Sequence, residues 1–158
     1  MIKELPLYRH AAKLADAQFD YGDVIPLEWL QKEFEIEIPA HADRKTFQDL
    51  QFKMLAALDG FKETLLLEYH KALQNQFGVG YRVVTPQEQT DYAMRNLRRG
   101  VRKEIQKAIG VLTHVNHDLL SEDEIRNNAD ALGRVAALAS FVKRQVGLIE
   151  QKKPDEQD

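Results

Sequence analysis

The chain has 158 residues, 44% of them hydrophobic and 30% charged, with a net charge of −3 and no cysteine. That length suits one domain, or one small domain with a helical extension, and the apolar content suffices for a core. The composition excludes disulfides, thiol nucleophiles and thiolate metal sites, and no apolar run approaches the ~18–20 residues of a membrane span.

The small negative charge argues against indiscriminate coating of nucleic acid. It is unevenly placed. Residues 1–90 hold ten Lys+Arg against fourteen Asp+Glu, a balance of −4, and residues 91–158 hold twelve against eleven, a balance of +1. Six of those twelve cations fall between Arg95 and Lys107. The opening Met-Ile-Lys-Glu-Leu-Pro is not followed by the apolar core of a signal peptide, so a cytoplasmic location is expected.

In residues 7–20, Leu7, Ala11, Leu14, Ala15 and Phe19 share a face, and the spacing predicts a first helix. Tyr21-Gly22-Asp23 breaks it. Val24-Ile25 is expected to be extended, because the residue before Pro26 is pushed out of the α region. Pro26 suits the start of a second helix, with Leu27, Leu30 and Phe34 as its apolar stripe. This break, extended pair and short helix have the cadence of the first half of a helix-turn-helix, although Trp29 and Phe34 also read as plain core anchors. The alternating Glu33, Glu35 and Glu37 read as a solvated acidic rim.

Asp43 is placed to cap a third helix whose apolar positions run from Phe47 and Leu50 through Met54, Leu55, Leu58, Phe61 and Leu65 to Tyr69 and Leu73. Asp59-Gly60 is the expected kink or break. Leu65-Leu66-Leu67 predicts burial of the second part, and Gln74-Asn75-Gln76 is expected to end it. The segment Phe77 to Pro86 is then the single stretch that reads as β, two glycines leading into aromatic and β-branched residues. Within it, Gly78-Val79-Gly80-Tyr81-Arg82-Val83 resembles the Gly-x-Gly-Tyr-Arg-hydrophobic wing strand in the winged-helix effector domains of two-component response regulators. The resemblance spans these six residues. It implies a winged-helix-like domain over residues 1–86, with Arg82 where a wing touches the nucleic-acid backbone or minor groove. Gly80 is expected to hold a backbone conformation closed to other residues.

Thr85 and Glu88 form a capping box around Pro86. They open a long helix in which Met94, Val101, Ala108 and Val115 recur every seven residues. Ser121 and Glu124 form a second box, followed by Ile125, Leu132, Ala139 and Val146 at the same period. Residues 87–150 are therefore expected to be an antiparallel helical hairpin, and residues 151–158 a disordered tail. The hairpin has more apolar seam than two helices need, which predicts homodimerisation with Met94, Val101, Leu132 and Val146 in the interface.

At 100° per residue, Arg95, Arg98, Arg99, Arg102 and Lys103 fan across one side of the first hairpin helix, with Lys107 just beyond. Such a stripe suits phosphates, although a solvated face paired with Glu104 fits the same residues. The preferred base reader is the start of the third helix, residues 44–53, with Arg44, Lys45 and Gln48; Lys62, His70 and Lys71 later in it are sparse among leucines. His114 and His117 have a spacing that can share a helix face but lack a partnering Glu. No Gly-rich phosphate loop, serine-nucleophile signature or dinucleotide fingerprint occurs, so neither an enzyme, a metal nor a cofactor is expected. The expectation is a mainly α protein with a small β-hairpin wing that regulates transcription as a dimer on duplex DNA. The alternative is a non-enzymatic interaction or inhibitor factor, of phage or mobile-element type, that uses the winged scaffold to bind a host protein.

Overall fold

The computed structural model describes residues 6–150, with side chains through residue 145. Within them the protein is mainly α with one small antiparallel sheet. The order is α1 (Leu7–Gln18), β1 (Val24–Pro26), α2 (Leu27–Glu33), α3 (Arg44–Tyr69), β2 (Leu73–Gln76), β3 (Gly80–Val83), α4 (Pro86–Thr113), a 3-10 turn (His117–Leu119) and α5 (Glu122–Glu150). The chain divides into two compact units, Met1–Tyr92 and Ala93–Asp158. The expected tail at 151–158 and the side chain of Val146 lie outside the described residues.

In the first unit the alanine-rich face of α1 packs on α3, with Ala11, Ala12 and Ala15 buried. Small side chains let the two backbones approach closely. Gly60 serves the same contact, since a Cβ there would lie 2.9 Å from the ring of Tyr8. The break expected at Asp59-Gly60 is therefore absent, and α3 runs unbroken from Arg44 to Tyr69. A helical glycine costs about 1 kcal/mol, and packing against α1 offsets it. Phe61 fills the centre, with Phe34 edge-on at 5.6 Å and Trp29 at 6.4 Å between ring centroids. The Trp29 indole N–H donates to Gln18 Oε1 at 3.1 Å.

β3 is the middle strand of the order β1-β3-β2, with Tyr81 facing Ile25 on one side and Asn75 on the other. Tyr81 and Val83 are buried on one face, and Arg82 lies on the other, partly exposed. The sheet has three strands, where a hairpin wing and an extended pair at Val24-Ile25 were expected. Leu73 to Gln76, read as the end of α3, are β2 instead. The helix stops at Tyr69 because His70 turns left-handed (φ 58°) and the Lys71 N–H donates back to Leu65 O at 3.0 Å. Leu-Gln-Asn-Gln has little β propensity, and its pairing with β3 makes it a strand. Gly78 (φ 76°) shapes the turn between them, where the Val79 N–H donates to Gln76 O at 2.9 Å.

Lys71, just past the end of α3, ties that helix end to the far end of α1. It is buried, and its Nζ donates to Asp16 O at 3.0 Å and Phe19 O at 2.9 Å, beside Asp16 Oδ1 at 2.8 Å. The ammonium thus satisfies carbonyls that the end of α1 leaves open. Lys71→Ala is expected to cost about 2–4 kcal/mol, less than a fully buried ion pair because Asp16 is partly exposed. Urea unfolding measures this, and an unchanged midpoint would show that the bridge holds nothing.

The start of α4 belongs to the first unit. Glu88 Oε2 accepts from Thr85 Oγ1 at 2.9 Å and from Arg82 Nη2 at 2.8 Å, so the expected capping box also carries an ion pair. The Tyr92 hydroxyl donates to Leu73 O at 2.7 Å. In the second unit Ser121 N–H and Oγ both donate to Glu124 Oε2, at 2.8 and 2.9 Å, and hold that carboxyl below the usual glutamate range. Asn128 Nδ2 donates to Leu112 O at 3.0 Å, linking α5 to α4 near the connection. No residue of α4 is buried, and none of the described side chains of α5 is.

Candidate nucleic-acid interface

Helical geometry decides which cations α4 presents together. Arg95, Arg99, Arg102, Lys103 and Lys107 are exposed on one side over about 18 Å of helix at 1.5 Å per residue. Arg98 is half-buried at the margin toward the apolar seam and has an interaction of its own. Lys107 Nζ lies 2.9 Å from Glu104 Oε1, an exposed pair three residues apart. Such surface pairs are weak and screened by salt, so Lys107 remains available to a phosphate. The stripe is real as a surface, one cation narrower than the sequence count.

The first unit uses much of its positive charge internally. Arg82 is committed to Glu88, and Lys71 is buried under the end of α1. Lys62 Nζ sits 4.4 Å above the centroid of the Tyr81 ring, where burial lowers its pKa. Arg44, Lys45 and Gln48 remain exposed in the first turns of α3. The carboxylate of Asp43 already occupies the positive end of that helix, accepting from Thr46 N–H at 2.8 Å and held below its usual pKa by the side chain and the N–H of Thr46. It opposes a phosphate at the same spot.

Two apolar features stand out that sequence reasoning missed. Phe52, Leu55, Leu66 and Leu67 of α3 are exposed, although Leu65-Leu66-Leu67 was expected to be buried all round. Only Leu65 of the three faces the core, because Leu58, Phe61 and Leu65 define the inner side of α3. The helical angles of Phe52, Leu55 and Leu66 carried that signal. At the tip of the β2–β3 hairpin, Phe77 is 98% exposed and Val79 is exposed beside it. In the second unit Met94, Val101 and Leu132 are half-buried, while Leu97, Val111, Leu138 and Phe141 are exposed.

His114, just past the end of α4, has its Nδ1 2.8 Å from Gly110 O in the last turn of that helix. Among the described residues no cluster of His, Cys, Asp and Glu has the arrangement of a metal site, and no helix is long and apolar enough to cross a membrane. No protein-family model, curated protein or solved structure matches the chain.

Proposed function

We propose that this chain is a non-enzymatic, DNA-binding regulatory protein of winged-helix type that acts as a homodimer. The observation that carries the reading is the exposed run Arg95, Arg99, Arg102, Lys103 and Lys107 on one side of α4. Guanidinium groups suit phosphate oxygens, and displacement of counterions from duplex DNA drives such binding. The winged-helix part draws support from a first unit of three helices and a small sheet whose last two strands form a hairpin. Its base-reading residues are Arg44, Lys45 and Gln48, with Arg82 a weaker contributor while Glu88 holds it. A titration of duplex binding against salt tests the reading.

The homodimer follows from the helix pair. Two long helices with apolar residues at a seven-residue period and no buried side chain among those described gain most from a second copy that closes a common core. Val101→Asp with Leu132→Asp is expected to dissociate the dimer, since burying an unpaired charge is costly. Sedimentation checks it, and a wild-type monomer at tens of micromolar (roughly the range of weak dimers,) would remove the dimer from the proposal. The alternative, a factor that docks on another protein, draws on the solvent face of α3. The α3 residues it needs are not part of the α4 stripe, so mutation separates the readings.

A further inference from the structure

We infer that the solvent face of α3 is a docking site for an amphipathic helix of another protein, one with basic residues flanking its apolar stripe. The inference rests on the protein-interaction alternative and is independent of DNA binding.

Phe52, Leu55 and Leu66 stand on one side of α3, with Leu67 at its flank. They are 69%, 55% and 48% exposed, and Leu67 is 65% exposed. The helix thus has two apolar sides. One faces the core through Leu58, Phe61 and Leu65, and the other faces outward. Between α3 and β2 lies an open groove of about 400 Å³ lined by Lys62, Glu63, Leu66, Leu67, Leu73 and Tyr92, and mostly apolar. Leucine-sized side chains from a helix laid along α3 would fill it, as anchors at i, i+3, i+4 and i+7 do in helix-in-groove recognition.

Charge selects the occupant. Asp59 and Glu63 are exposed between the two apolar clusters, and among the described residues neither forms an ion pair. Lys62 lines the same groove, with its ammonium over the Tyr81 ring and within the field of Asp59, so one cation stands beside the two carboxylates. A duplex would meet two carboxylates here, which repel phosphate. A second copy that pairs its α3 with this one fares no better. Positions 52 and 66 are symmetric about 59, so a two-fold copy laid antiparallel on the stripe sets Asp59 against Asp59 and Leu55 against Glu63. Like charges brought together in this way suppress the self-pair. A helix carrying Lys or Arg beside its leucines satisfies both the apolar clusters and the carboxylates.

The test uses the full chain and two labelled helical peptides of about 18 residues, five turns of helix, with the same leucine spacing, one flanked by Lys and the other by Glu. Fluorescence anisotropy is expected to show the Lys peptide binding at least tenfold more tightly than the Glu peptide. Asp59→Lys with Glu63→Lys is expected to invert that preference. Glu122→Lys with Asp130→Lys, the same charge change on α5, should leave it in place. Leu66→Ser with Leu67→Ser is expected to weaken the Lys peptide tenfold or more, and both positions are exposed enough for the fold to survive, which circular dichroism checks. Equal binding of the two peptides, or a preference moved equally by the α5 control, overturns the proposal. So does a wild-type dimer that Leu66→Ser with Leu67→Ser dissociates, because the face would then belong to a second copy. Duplex binding measured on the same samples reports the α4 stripe separately, so loss of one activity identifies which reading has failed.

Discussion

Gly80→Val is expected to cost more than about 4 kcal/mol, beyond the ordinary range for one substitution. Gly80 opens β3 with φ 158°, a region that side-chain-bearing residues rarely adopt. A Cβ there would lie 2.0 Å from Ile25 O, 2.9 Å from Ile25 C and 3.0 Å from Pro26 Cα. All three atoms are backbone of β1, so no rotamer change relieves the clash. The middle strand must withdraw from β1, and that exposes Ile25, which is fully buried. Gly78 supplies the comparison. Its φ is 76°, but nothing lies within 4 Å of a Cβ there, so Gly78→Ala carries backbone strain alone, about 1 kcal/mol. Urea unfolding of the two variants separates crowding from strain. Should Gly80→Val lose no more than Gly78→Ala, the close approach of β1 and β3 would not be what that glycine protects.

Replacing Arg95, Arg99 and Arg102 together with alanine is expected to flatten the plot of log K against log salt by about two to three units on duplex DNA, since each phosphate that is no longer neutralised takes about 0.9 from the slope. All three side chains are exposed on one side of α4, and Arg98 is left in place because it is half-buried. Binding should weaken alike for all sequences, since phosphate contacts position a protein without specifying bases. Between about 50 and 200 mM salt the wild type should then lose affinity more steeply than the variant by roughly one to two powers of ten. Folding should hardly change, because alanine in an exposed helix position is at least as good a helix former as arginine. An unaltered slope, or no duplex binding by the wild type at low salt, would take DNA out of the proposed function and leave the α3 face as the surface to pursue.

Features governed by residues three or four apart are legible in the sequence itself. Asp43 with Thr46, Thr85 with Glu88 and Ser121 with Glu124 make the capping bonds their spacing predicts, because a helix start is closed by its own first turn. The fan of cations on α4 is legible for a similar reason, since 100° per residue holds in any helix and α4 is unbroken. Tertiary contacts decided the rest. Gln74 to Gln76 are a strand only because β3 lies beside them, and Gly60 leaves α3 intact only because Tyr8 of α1 packs on it. Lys71 reads as a surface cation until its carbonyl partners, 55 and 52 residues earlier, are brought to it. Leu66 and Leu67 read as core until α3 turns another side inward. A leucine's exposure depends on what the rest of the chain sets against it, and no local pattern carries that information.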